Sequence, residues 1–226
     1  MDARETLYTT RAMRRLAPDP VPPEVIARIL DAGIRAPSGG NEQAWRFLAV
    51  TERPTVAAIG ELYRHAMADL FETHYKARRE EVAAASPDDT RAAQVKRVLT
   101  SAQHLATYFD DTPLLIFGYA TALGGGPSIY PALWQMCLAA RVEGVGSTLT
   151  TVLGMFPKEV DKVLRVPSDS GYTMAGMLTM GYPTGRWDVA ARKPVSKVVF
   201  AEQWGQVPSW APDEPLWQSA SQDAAV

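Results

Sequence analysis

Across 226 residues the sequence has one cysteine, Cys137, and three histidines, His65, His74 and His104. A single thiol excludes an internal disulfide framework, and in its apolar surroundings Cys137 reads as a buried small hydrophobe rather than a reactive group. The histidines are widely separated and form neither a zinc-ligand spacing nor a triad with an activated serine, so no metal centre is expected. A large excess of either charge is missing as well. The 23 Lys plus Arg against 25 Asp plus Glu leave a net charge of -2, which offers no bulk attraction for nucleic acid or an anionic membrane. No apolar run approaches the roughly 18 to 20 residues of a membrane span, and Met1-Asp2-Ala3-Arg4-Glu5 carries charge where a secretory leader would be apolar. These absences point to a soluble, cytoplasmic protein with a small-molecule partner. The length suits a single domain over 1–226, and no internal repeat is visible.

Punctuation by proline and glycine divides what remains. Glu5 to Met13 reads as a helix ending in Thr and Arg, and Pro18, Pro20, Pro22 and Pro23 impose an extended connection. A second helix follows, with Pro23 in its first turn and Val25, Ile26, Ile29, Leu30 and Ile34 at helical spacing until Pro37. Trp45 to Val50 reads as a strand and Pro54 to Met67 as a helix. The polar segment of about 71–103, broken at Ser86-Pro87-Asp88-Asp89, reads as a helical excursion or lid. Asp88-Asp89 and Asp110-Asp111 are turn and cap residues, because nothing implies an apolar pocket that would split their pKa values. Pro113 to Tyr119 is continuously apolar, as in a strand covered on both faces at the centre of a sheet. After the loop Gly124-Gly125-Gly126-Pro127, Ile129 to Glu143 is apolar on nearly all sides, which implies burial in a core or a subunit interface. Gly144-Val145-Gly146 ends it. Ser147 to Val152 fits a short strand or loop, Pro157 to Leu164 a short helix and Tyr172 to Gly181 a strand. About 201–226 reads as an extended C-terminal arm whose last residues, Ser-Ala-Ser-Gln-Asp-Ala-Ala-Val, fray.

Two segments carry chemistry together. Thr10-Arg11-Ala12-Met13-Arg14-Arg15-Leu16 offers guanidinium groups able to hold a phosphate in a forked geometry. Ala36-Pro37-Ser38-Gly39-Gly40-Asn41-Glu42-Gln43-Ala44-Trp45-Arg46-Phe47 offers backbone free of bulky side chains beside small hydroxyl and amide groups. Alone, the first is an ordinary solvated helix end and the second a helix stop and turn. Together they suit an anionic, planar, hydrogen-bond-rich cofactor such as a flavin. Gly144-Val145-Gly146-Ser147-Thr148 lacks the strand-Gly-x-Gly-x-x-Gly-helix context of a dinucleotide fold, so no Rossmann domain is read from it.

From about Thr6 to about Trp204 these motifs resemble the nitroreductase superfamily. Pro37 to Trp45 is similar to its Pro-Ser-x-x-Asn-x-Gln-Pro-Trp signature, with Ala44 where proline is usual. Arg192-Lys193-Pro194-Val195 resembles the basic-x-Pro segment before the family's last strand, and Gly144 to Ser147 its Gly-x-Gly-Ser stretch. The resemblance implies an α+β fold: a central, mostly antiparallel sheet flanked by helices, in an intertwined homodimer with two FMN sites at the interface. It implies Arg11 and Arg192 at the phosphate, Arg15 tuning the flavin ring and Ala12 and Met13 contributing backbone contacts. Pro37, Ser38 and Gly39, with Asn41 and Gln43, would come from the neighbouring subunit, and Thr150, Thr151 and Val152 would lie near the ring. The implied reaction takes hydride from NAD(P)H onto FMN and passes it to a nitroaromatic, quinone or related acceptor in a ping-pong cycle, with no protein acid, base or nucleophile. Reductive dehalogenation, flavin fragmentation, a non-catalytic flavin-binding role and deazaflavin in place of FMN stay open.

Overall fold

The computed structural model describes residues 1–121 and 126–217. Gly124 and Gly125 of the expected glycine loop, and the C-terminal octapeptide expected to fray, lie outside the described residues. The chain divides into two compact units, one formed by Met1–Arg11 with Arg186–Val226 and the other by Ala12–Gly185.

The larger unit is built on an antiparallel sheet in the order β1-β2-β4-β3, with β1 at Trp45–Val50, β2 at Leu114–Thr121, β3 at Gly146–Thr150 and β4 at Tyr172–Gly181. All three pairings are antiparallel, and β2 is central as its apolar run requires. Successive β2 side chains alternate between two cores. Leu114, Ile116 and Ala120 pack with α2 (Pro23–Gly33) and α6 (Ile129–Val142); Leu115, Phe117 and Tyr119 face α3 (Arg53–Glu72), α5 (Thr90–Thr107) and α7 (Pro157–Leu164). The result is a sheet covered by helices on both faces.

Each helix follows its sequence cues. α2 starts on Pro23 with Glu24 in its first turn, and buries Val25 and Ile29. α5 is capped by Asp89, whose carboxylate accepts from Ala92 N at 2.9 Å. In the excursion, α4 (Lys76–Ala84) buries no residue, whereas α5 buries Ala92, Leu99, Leu105 and Ala106 and belongs to the core. α6 is apolar but not enclosed: Ile129, Leu133, Met136 and Cys137 are buried, while Tyr130 and Trp134 are 42% and 44% exposed. Burial pushes the Cys137 thiol up to about 11, so it is inert as a nucleophile at neutral pH.

In the smaller unit, α1 spans Ala3–Thr9 and ends before the expected Met13. The hydroxyls of Thr6, Thr9 and Thr10 donate to the carbonyls of Asp2, Glu5 and Thr6 at 3.1, 2.7 and 2.7 Å, and Thr10 is already extended. Such back-bonding competes with helical continuation. The expected last strand after Pro194 is absent among the described residues. Val195–Lys197 is a single 3-10 turn, and the amides of Val198 and Val199 both donate to the Val195 carbonyl at 3.0 Å rather than to a neighbouring strand. Residues 201–217 contain turns without helix or strand, and leave Trp204 and Trp210 92% and 68% exposed.

Candidate functional site

The basic segment is not a helix end. Ala12 forms a parallel bridge with Ser147 and Leu16 an antiparallel one with Pro183, so residues 12–17 lie extended along the start of β3 and the exit of β4. Met13 N donates to Ser147 O at 2.9 Å, and the Met13 carbonyl accepts from Thr148 Oγ1 at 3.0 Å. Ala17 N donates to Tyr182 O at 2.8 Å and Thr184 N to Arg15 O at 3.0 Å. Met13 is buried, Ala12 and Arg15 are exposed and Arg14 is half-buried. Both Met13 backbone groups are therefore engaged within the protein. Ala12 keeps its exposed position.

The Ser-Gly-Gly loop is held by its own groups. Ser38 Oγ accepts from Gln43 N at 3.1 Å, Gln43 Nε2 donates to Asn41 Oδ1 at 3.1 Å, and Gly39 N donates to Ser128 Oγ at 3.2 Å. Gly40, Asn41 and Gln43 have φ of 57°, 55° and 50°. Glycine and asparagine tolerate this left-handed region, whereas glutamine there is strained and must be held in place. Pro37, Gly39, Asn41 and Gln43 are exposed, and no atom lies within 4 Å of where a Gly39 side chain would project. The loop thus presents open backbone outward.

Thr150 ends β3 half-buried, its hydroxyl bonded to the Tyr63 phenol and accepting from Val152 N at 3.4 Å; Thr151 beside it is exposed. Burial raises the Tyr63 pKa, opposed by Thr150 and by the nearby Arg14 charge. Arg15 Nη1 lies 3.2 Å from His104 Nδ1 on α5, and burial followed by the Arg15 charge lowers the His104 pKa. Sequence reading assigned no role to Tyr63 or His104, because their partners are distant in the chain.

Within the smaller unit, Arg11 Nη2 donates to Arg186 O at 2.9 Å, while Arg11 Nε is buried without a partner. Arg192 is exposed and donates to the carbonyl of its neighbour Ala191 at 3.0 Å. Among the described residues, none of Arg11, Arg14, Arg15 and Arg192 has a carboxylate partner. An orphaned guanidinium N–H and unneutralised cations fit an anionic group such as a flavin phosphate.

Register fixes where the motifs of the larger unit stand. Trp45, at the end of the Ser-Gly-Gly loop, pairs with Ala120 and through it aligns with Thr173, whereas Ser147, which receives Met13, pairs with Met180. At about 3.3 Å per residue and 4.8 Å between strands, Trp45 and Ser147 stand at diagonal corners of the sheet, roughly 27 Å apart. One chain does not bring them together.

A helix-covered antiparallel sheet, with an extended cationic segment at one corner and a glycine-serine-asparagine loop at the opposite one, defines an α+β protein. The sequence profile of the Nitroreductase family matches residues 7–182, and the chain belongs to that family. It is 28% identical over 207 residues to an NADH dehydrogenase of Thermus thermophilus, covering 88% of this chain and 96% of the relative. It is 27% identical over 186 residues to the 5,6-dimethylbenzimidazole synthase of Rhodospirillum rubrum, covering 80% and 82%. The fold is similar to that of oxidized iodotyrosine deiodinase bound to FMN and 3-iodo-L-tyrosine, with a TM-score of 0.69 at 20% identity over 89% of this chain and 99% of that one. Among the described residues no helix is long and apolar enough to cross a membrane, and no cluster of His, Cys, Asp and Glu could hold a metal.

Proposed function

We propose that this protein is an FMN-dependent oxidoreductase that uses NAD(P)H to reduce a nitroaromatic, quinone or related acceptor as a cytoplasmic homodimer. The observation that carries the reading is the set of arginines without a carboxylate partner among the described residues, above all Arg11, whose buried Nε has no hydrogen-bond partner there. Family membership and an FMN-bound structural relative support the choice of cofactor. When bound, FMN supplies the redox chemistry, taking hydride from the nicotinamide and returning it to the acceptor.

The chain's own residues bind and orient. Arg11 and Arg192 hold the phosphate by charge-assisted hydrogen bonds, and Arg15 places positive charge near the ring, where it favours the anionic reduced form. Thr150 and Thr151 lie along the ring, and the exposed backbone at Ala12 is free for contact. Met13 acts as the anchor that holds this segment to Ser147 and Thr148. Pro37, Ser38 and Gly39, with Asn41 and Gln43 fixing the loop, serve the partner's site. Diagonal separation in one chain supports that division, because a twofold partner can supply the missing corner. α4, which buries nothing, forms the lid over the acceptor. The relatives named for benzimidazole synthesis and deiodination favour a second reading, a specialised flavin reaction, and acceptor profiling separates it from general nitro and quinone reduction.

Arg11→Ala tests the reading. The variant is expected to fold and to lose its visible flavin absorbance on dialysis, while the parent stays yellow and bleaches with NADH or NADPH. A variant that stays fully yellow removes Arg11 from the phosphate. A parent that cannot be reconstituted with FMN refutes the function, and an absorbance band typical of deazaflavin changes the cofactor.

A further inference from the structure

We propose that His104 is a positioning residue for Arg15, its neutral imidazole accepting a hydrogen bond from the guanidinium at Nδ1 and releasing it when the imidazole takes up a proton. This rests on the proposed function in that Arg15 is the cation near the flavin ring; the contact itself is independent of that assignment.

Geometry fixes the chemistry of the pair. Arg15 Nη1 and His104 Nδ1 are 3.2 Å apart, and a guanidinium has donors only. Nδ1 must therefore carry the lone pair, which places the imidazole proton on Nε2. Tyr108 lies against the ring, with centroids 4.6 Å apart. A protonated His104 would turn N–H toward N–H and put two cations together, so protonation and the Arg15 contact exclude each other. Both groups are partly exposed, which allows the proton in from solvent.

The surroundings leave Arg15 as the charge that sets the balance. Burial and then Arg15 account for the lowered His104 pKa, and no carboxylate opposes them. On α5 itself, Arg97 is about two turns back and adds charge of the same sign. α3, packed against α5, presents Tyr63, which is engaged with Thr150, and α4 meets the far end of the helix through the Arg91–Glu81 pair at 3.7 Å. His104 also couples two parts of the molecule. α5 follows α4, so the contact ties the cation at the β3 corner to the helix adjoining the lid.

Imidazole 15N NMR of flavin-free protein reads the contact directly, with His65 and His74 as internal references and His104→Gln for assignment. The expected result is an Nε2–H tautomer for His104 with a midpoint below the ordinary value of about 6.5, returning toward it in Arg15→Gln. An unchanged His104 midpoint and tautomer in Arg15→Gln overturns the proposal, whether or not the protein binds flavin. In FMN-loaded protein, the reduction potential of the parent is expected to fall away from that of His104→Gln only below the His104 midpoint, because glutamine accepts from Arg15 at every pH. Potentials that run parallel through that range also overturn it. Failure of FMN to bind refutes the proposed function and leaves the NMR result standing.

Discussion

Gly146 opens β3 directly beneath the segment that carries the arginines, and adding one methyl group there tests how tightly that segment is seated. A Cβ at Gly146 would lie 2.9 Å from Met13 Cβ, 3.2 Å from Pro183 Cβ and 3.3 Å from Leu16 Cδ2. Carbon atoms pack best at about 3.5–4.0 Å, so Met13 must retreat by about 0.6 Å or more. The Leu16 tip can rotate away, but Met13 Cβ and Pro183 Cβ move only with their backbone. The retreat stretches the Met13 bonds to Ser147 and Thr148, now 2.9 and 3.0 Å. Gly146 is not among the glycines with positive φ, so alanine suits its dihedral angles and recovers about 0.4–1 kcal/mol by restricting the unfolded chain. Overpacking costs about 1–3 kcal/mol, so the net change runs from about zero to a loss of about 2.6 kcal/mol. For a chain of this size, Tm falls by roughly 2–4 °C for each kcal/mol. Gly154→Ala is the control, since nothing lies within 4 Å of its missing side chain and its φ is not positive. Calorimetry of the flavin-free variants, followed by FMN titration, is expected to show Gly146→Ala about 1–3 kcal/mol less stable than Gly154→Ala and weaker in binding, while Gly154→Ala binds as the parent does and is about 0.4–1 kcal/mol more stable than it. A Gly146→Ala protein as stable as its control would refute the seating of this segment on β3.

Thr148→Val keeps the side-chain volume but removes the donor to the Met13 carbonyl in a site only 2% exposed. Denaturant unfolding is expected to show a loss of about 1–3 kcal/mol, and Thr148→Ser should recover part of it. The Arg28–Glu143 pair, joined through two hydrogen bonds of 3.0 and 2.7 Å, sets an acid limb of stability. The bonds from Arg28 hold the Glu143 carboxyl below its ordinary value, so their contribution is complete above about pH 4.3 and is lost as pH falls through the folded-state pKa. Arg28→Ala should flatten that limb in acid-unfolding curves and leave neutral-pH function intact. An unchanged limb would show that the exposed pair contributes nothing measurable.

Local chemistry made much of the fold legible. Trp45–Val50, Tyr172–Gly181 and Pro157–Leu164 fall where turn residues and proline bracket the pattern, and the continuous apolar run from Pro113 marks the central strand. The misreadings share a cause. Helical propensity carries α1 to Met13, but threonine back-bonding and the Ala12–Ser147 bridge take over first. Val195 to Phe200 has strand-forming residues, yet a ladder needs a partner that its composition does not reveal. For the proposed site, residue types at the two corners could be singled out, because phosphate and flavin binding would need arginines and open backbone. Tyr63 and His104 could not, since the Tyr63–Thr150 and His104–Arg15 pairs form only when the sheet and α5 are in place.

The distribution of leftover features in the Ala12–Gly185 unit argues for a second copy of the chain. Tyr130 and Trp134 remain 42% and 44% exposed one turn apart on a helix whose sequence is apolar nearly all round. Tyr130 hydroxyl donates to the Ala175 carbonyl at 3.1 Å, so α6 presents its aromatic face from a fixed position over β4. Ser128, just before this helix, holds Gly39, which makes the loop at one corner continuous with that face. A twofold axis over α6 would cover the aromatics and exchange the corners, carrying the loop of one protomer toward the Met13 segment of the other. Isologous contact repeats every relation twice and yields two equivalent sites, each incomplete in a lone chain. Burial and cofactor assembly would then be one event, which would give a physical reason for the proposed anion-binding groups and the proposed flavin-facing loop to stand so far apart in one chain.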